Sequence, residues 1–211
     1  MRTRIKICGF TQAEDAISAA ALGVDAIGLV FYSPSPRNIS ITQARGIIRK
    51  LPAFVSIVAL FVNETEKQIR TILDQIPIDI LQFHGDEPPE QCRAYNKPYI
   101  KAVQMRPNLN LVDYAAAYDD ASAILVDAYH PDAKGGTGHQ FNWDLLPENS
   151  DFPLILAGGL GPENASTAVK IAKPYALDVS SGVEIEKGIK DAGKMKQFIE
   201  QVYQGDKSKL R

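Results

Sequence analysis

The chain has 211 residues, 45% of them hydrophobic and 23% charged, enough for one domain spanning residues 1–211 and little else. A formal net charge of −2 excludes bulk attraction to nucleic acid or to an anionic membrane, so an anionic ligand must be held by a local site. No apolar run approaches the ~20 residues that cross a bilayer, and the basic opening Met1–Cys8 does not read as a secretory leader.

From the amino terminus onward, short β-rich runs alternate with helix-patterned segments. The expected strands are Arg4–Cys8, Ala26–Phe31, Val55–Phe61, Ile78–Phe83, Tyr99–Val103, Ala123–Asp127, Leu154–Ala157 and Ala176–Ser180. Their ends recur every ~20 to 30 residues, the length of one βα unit. In an α/β chain this short, that pattern leaves a closed parallel barrel or a doubly wound open sheet. Between the strands, Thr11 with Glu14 and Asn63 with Glu66 have the spacing of capping boxes. Ile69, Ile72, Leu73 and Ile76 form one apolar helical face, and Met195, Phe198, Ile199 and Val202 another. Gly161-Pro162 places proline where a first helical residue tolerates it, Asp191 is suited to cap the last helix, and Gly205–Arg211 is expected to fray.

Strand parity adds detail. With Cys8 inward, Lys6 and Arg4 share its face, while Ile5 and Ile7 face helices. Asp127 aligns with Leu125 and Ala123, and Asp178 with Ser180. Barrel closure would make the first and last strands neighbours, so Lys6 is expected against Asp178; an unpaired interior lysine would be costly.

Polar residues gather where barrel enzymes keep their chemistry, at the carboxyl ends of strands. Gly158-Gly159 after the seventh strand and Ser180-Ser181-Gly182 after the eighth are candidate phosphate loops, with a short helix starting near Gly182 adding its positive end. Cys8 and Asp127 end strands one and six, and closure would let them face each other as a base and an acid. As a base, Cys8 needs a nearby cation or helix end to favour the thiolate; as an acid, Asp127 needs desolvation or a neighbouring negative charge. Arg37, in a proline-stiffened loop, suits a bidentate carboxylate. His84 is suited to hydrogen-bond substrate or to serve as an alternative acid or base, with a structural histidine the competing reading. Cys92 reads as an inert helical cysteine, and with Cys8 forms neither a disulfide framework nor a metal cluster. Three histidines without ligand spacing point to no metal. A reduced, cytoplasmic enzyme is expected, and nothing in the sequence sets an oligomeric state.

The ordered motifs carry a more specific likeness. Lys6-Ile7-Cys8-Gly9, Phe61-Val62-Asn63, Gln82-Phe83-His84-Gly85, Gly135-Gly136-Thr137-Gly138 with Phe141-Asn142-Trp143, Ala157-Gly158-Gly159-Leu160 and Asp178-Val179-Ser180-Ser181-Gly182-Val183-Glu184 together resemble the phosphoribosylanthranilate isomerase family across essentially the whole chain. The departures are small: Asn142, Phe83 and Lys187-Gly188 stand where that family more often has Asp, Leu and Pro-Gly. The resemblance implies a (β/α)8 TIM barrel in one domain and an Amadori rearrangement in tryptophan biosynthesis without metal or organic cofactor. It also implies a phosphosugar as the small-molecule partner. By the same matching Cys8 would be the general base, Asp127 the general acid, Arg37 the ligand of the anthranilate carboxylate, and the two glycine and serine loops the phosphate site. A non-catalytic phosphosugar-binding barrel, or another phosphosugar isomerase of the same fold, is the competing expectation; turnover separates the first from an enzyme.

Overall fold

The computed structural model describes residues 2–106, 109–128, 143–147 and 150–208. Eight parallel strands close into a barrel in sequential order. They are β1 (Arg4–Cys8), β2 (Ala26–Val30), β3 (Ser56–Phe61), β4 (Ile80–Phe83), β5 (Tyr99–Met105), β6 (Ala123–Ala128), β7 (Leu154–Leu156) and β8 (Ala176–Val179). Seven helices accompany them among the described residues: α1 (Ala13–Ala21), α2 (Ile41–Ile48), α3 (Glu66–Gln75), α4 (Pro89–Cys92), α5 (Leu111–Ala116), α6 (Ala165–Ala172) and α7 (Ala192–Ser208). In the connection after β6, a single 3₁₀ turn at Trp143–Leu145 is described. After β8 come a second 3₁₀ turn, Ser181–Val183, and an antiparallel hairpin of β9 (Glu184–Glu186) and β10 (Ile189–Lys190).

Side-chain alternation sorts the core into shells. Outward residues such as Ile5, Ile7, Ile124 and Val126 join the helices in one apolar layer. Inward residues form a separate small plug of Ile100, Ala102, Ala123, Leu125, Ile155, Ala157 and Ala176. Another inward cluster holds Cys8, Val30, Leu60 and Val62. Closure sets Lys6 opposite Asp178 in the β1–β8 register, as parity requires.

Several helix boundaries differ from expectation. The N-cap of α1 is Gln12, which makes no side-chain cap, because the Thr11 hydroxyl donates instead to the Gly188 carbonyl at 2.6 Å. Helix α3 starts from Thr65, whose hydroxyl accepts from the Gln68 amide at 3.3 Å. Asn63 stands outside it in a left-handed conformation, φ 51°, and accepts from the Asp86 amide at 2.6 Å. The capping box that does form is Ser40 with Gln43, at the start of α2. Pro162 sits in a turn ahead of Asn164, the N-cap of α6. Asp191 does cap the last helix, accepting from the Lys194 amide at 2.9 Å. That helix does not fray at Gly205 but continues to Ser208, because Gly205 is buried against Val169 and has no room for a Cβ.

Candidate active site

A pocket of about 320 Å³ opens at the carboxyl ends of the barrel strands. Cys8, Arg37, His84, Asp127, Gly158, Gly159, Ser180 and Ser181 all line it, joined by Gln82 and Asp178. Of the site residues expected from the sequence, Gly182 alone is outside that lining. Its Cα packs against the Leu160 carbonyl, where a Cβ would collide, so it brings the loops after β7 and β8 together. The expected helix start near Gly182 is only the 3₁₀ turn Ser181–Val183. Gly135–Gly138, His130, His139, Phe141, Asn142 and the segment 129–140 lie outside the described residues.

The Cys8 side chain owes its position to its neighbours. Register places it beside Gly28 on β2, and a Cβ on Gly28 would come within 2.5 Å of the sulfur. One side-chain repeat below on β1, Lys6 sets its positive charge near the thiol and forms an ion pair with Asp178 Oδ2 at 2.7 Å. Burial pushes the Cys8 thiol above its usual range, with Lys6 and Lys190 pulling the other way. The cations expected beside the base are therefore present, but desolvation outweighs them. Lys6 itself stays charged: burial acts against its ammonium, but Asp178 and Cys8 more than offset it.

Across the mouth, Asp127 is buried at the end of β6. Its Oδ1 accepts from the Ala128 amide at 2.8 Å, and its Oδ2 lies 3.2 Å from His84 Nε2. Gln82 Nε2 in turn lies 3.0 Å from His84 Nδ1, so a side-chain chain runs Gln82–His84–Asp127. Gly158, at φ 82°, lets the loop after β7 reach this carboxyl; any side chain there would strike Asp127 Oδ1 and the Ala128 backbone.

Arg37 is less free than a loop arginine suggests. Its Nε and Nη2 donate to Glu184 Oε1 and Oε2 at 2.8 and 2.7 Å. That leaves the opposite edge of the guanidinium for a ligand. Lys190 completes the cluster, donating to Glu184 Oε1 at 2.7 Å, to the Cys8 carbonyl at 2.6 Å and to the Ser180 carbonyl at 3.1 Å. Burial pushes Glu184 up, but Arg37 and Lys190 overcome it and hold the carboxyl below its usual range. The Ser180 hydroxyl also donates to the Cys8 carbonyl, at 2.9 Å, so β1, β8 and the β9–β10 hairpin meet at one atom. The loop after β7 is stitched by Asn164, which accepts from the Gly161 amide at 3.0 Å and donates to the Gly159 carbonyl at 2.8 Å.

Sequence reasoning missed Glu184, Lys190, Gly28 and Gln82 as parts of this site. Glu184 falls at the end of a motif already singled out, and Gln82 shares strand parity with the inward Ile80, so both left a signal. Gly28 did not: its role depends on the β1–β2 register.

Taken together, these features define a (β/α)8-barrel enzyme with a thiol and a carboxyl over one pocket. The family model for N-(5′-phosphoribosyl)anthranilate (PRA) isomerase matches residues 5–201. An N-(5′-phosphoribosyl)anthranilate isomerase of Nitrosococcus oceani is 54% identical over 199 residues, covering 94% of this chain and 97% of the relative. Among solved structures, phosphoribosyl anthranilate isomerase from Thermotoga maritima superimposes with a TM-score of 0.87 at 40% identity, covering 95% of this chain and 98% of that one. A phosphoribosyl anthranilate isomerase in complex with reduced 1-(o-carboxyphenylamino)-1-deoxyribulose 5-phosphate gives 0.84 at 39% identity, with the same coverage. The chain belongs to the N-(5′-phosphoribosyl)anthranilate isomerase family.

Proposed function

We infer that this chain converts N-(5′-phosphoribosyl)anthranilate to 1-(o-carboxyphenylamino)-1-deoxyribulose 5-phosphate, with Asp127 as the acid and Cys8 as the base. Protonated Asp127 gives its proton to the furanose ring oxygen, and the C1′–O bond breaks to leave a Schiff base. The Cys8 thiolate then takes the proton from C2′, forming an enolamine that tautomerises to the ketone. The imine draws electron density from C2′, so a thiolate is base enough. The reacting form pairs a Cys8 thiolate with a protonated Asp127, and the burial that pushes the thiol above its usual range works against the thiolate.

The remaining residues bind. The edge of Arg37 that Glu184 leaves open takes the anthranilate carboxylate, and Glu184 fixes the plane of the guanidinium. Backbone groups of Gly158, Gly159 and Ser181, with Ser180, hold the phosphate, while Gly182 keeps the two loops in contact. His84 orients the Asp127 carboxyl rather than reaching for substrate alone. The whole chain acts as one catalytic domain. It works in the cytoplasm, where both cysteines stay free thiols; no described helix is long and apolar enough to cross a membrane.

What carries this reading is that Cys8 and Asp127, 119 positions apart in sequence (127 − 8), line the same pocket beneath the loops after β7 and β8. Turnover followed by anthranilate fluorescence tests it. Asp127→Asn and Cys8→Ala should each lower kcat by about 10²- to 10⁴-fold while binding of the reduced product persists. Retained turnover in Cys8→Ala would remove the thiol as base.

A further inference from the structure

One carboxylate oxygen in the pocket has no donor. Asp178 is 8% exposed and lines the pocket. Its Oδ2 is held by Lys6 at 2.7 Å, but its Oδ1 is buried with no hydrogen-bond partner among the described residues. The nearby Cys8 thiol is not among its donors, and Lys6 donates to the other oxygen. Leaving a buried acceptor unpaired is unfavourable, so such an atom at a ligand-facing surface calls for a donor from the ligand.

The strand geometry says which donor. Asp178 lies two residues below Ser180 on the strand that leads into the proposed phosphate loop. Register pairs β8 with β1, the strand that ends at Cys8. A sugar chain with its 5′-phosphate on that loop and C2′ at the sulfur therefore passes C3′ across Asp178. We infer that Asp178 Oδ1 accepts a hydrogen bond from the 3′-hydroxyl of the substrate, making Asp178 a substrate-contacting, specificity-determining residue. This rests on the proposed function, since it uses the same phosphate and base assignments. Lys6 then has two partners with distinct ends: it neutralises the carboxylate that grips the sugar and supports the thiol that acts on it.

The probe is the reduced, non-reacting product and its 3-deoxy counterpart, with affinities read from anthranilate fluorescence. The wild-type protein should bind the deoxy ligand about 10- to 100-fold more weakly, because the Asp178 oxygen is then stranded. In the variant Lys6→Met/Asp178→Leu, which removes the ion pair as a unit, the two ligands should bind within about threefold of each other. Asp178→Asn, which keeps the shape of the side chain, should give an intermediate ratio and serves if the double variant does not fold. Equal wild-type affinities for the two ligands would overturn the assignment, as would an undiminished ratio in the variants. Turnover of the anthranilate substrate by the same wild-type preparation keeps the two readings apart: with turnover intact, only the Asp178 contact falls.

Discussion

Three lysine–carboxylate pairs are buried among the described residues; Lys190–Glu184 belongs to the Arg37 cluster, and of the other two one lies outside the strand wall and one inside it. Lys101 and Glu87 lie between the barrel and its helices with side chains 0% exposed. Every oxygen and the ammonium are occupied: Glu87 Oε1 accepts from the Asn63 amide at 2.7 Å, and Oε2 accepts from the Gly85 amide at 2.9 Å and Lys101 at 2.8 Å. Lys101 also donates to the Gly85 carbonyl at 2.7 Å. Lys6 and Asp178 form the same kind of pair, but they line or underlie the pocket and leave one oxygen open. The closed pair ties the loop after β4, from which His84 emerges, to β5. The open pair lies beside the Cys8 thiol, with Asp178 lining the pocket. Saturation, more than burial, separates an ion pair that holds the fold from one available for chemistry.

That contrast can be broken most forcefully at the closed pair. Glu87→Ala leaves Lys101 charged in an apolar layer, and chemical denaturation should show a loss of about 3 to 5 kcal/mol. A loss as small as a surface substitution would mean that the pair is not closed in solution. At the open pair the larger effect should fall on activity: Lys6→Met is expected to lower kcat/KM roughly 10- to 100-fold. The sign of its pH effect follows from the electrostatics. Lys6 favours the thiolate, so removing it raises the Cys8 pKa further and moves the pH dependence of thiol alkylation upward. An unmoved or downward-shifted alkylation curve would separate Lys6 from the thiol.

A smaller change sharpens the same contrast. Gly28→Ala pushes a methyl toward the Cys8 sulfur, and turnover should fall by about tenfold or more through misplacement of the thiol. Activity at the wild-type level would show that the sulfur has room to shift. The smallest expected effect is at Arg37. Arg37→Ala should weaken binding of the anthranilate-bearing ligand by about tenfold and leave inorganic phosphate affinity nearly unchanged. Equal losses for both would place Arg37 at the phosphate instead.

Much of the barrel and part of the site followed from local rules. Alternation along β1 and β8, combined with closure, is enough to put Lys6 against Asp178, because a pleated strand allows only two faces. Cys8, Asp127 and the two loops were legible for the same reason: they end strands. What escaped depends on reach between distant side chains. Arg37 finds Glu184 across 147 positions, and only the short β9–β10 hairpin, which has no periodic signature, brings them together. His84 meets Asp127 because β4 and β6 face one opening, a relation carried by neither strand alone. The capping expectations at Thr11 and Asn63 failed because each side chain had a tertiary partner, and spacing of residue types cannot anticipate such competition.

The central claim is spatial, and a crystal structure with the reduced product bound tests it most directly. The sulfur of Cys8 and the carboxyl of Asp127 should both lie within about 3 to 3.5 Å of the reacting end of the sugar, one at C2′ and the other at the former ring oxygen. A ligand seated with its sugar remote from either group would contradict the account.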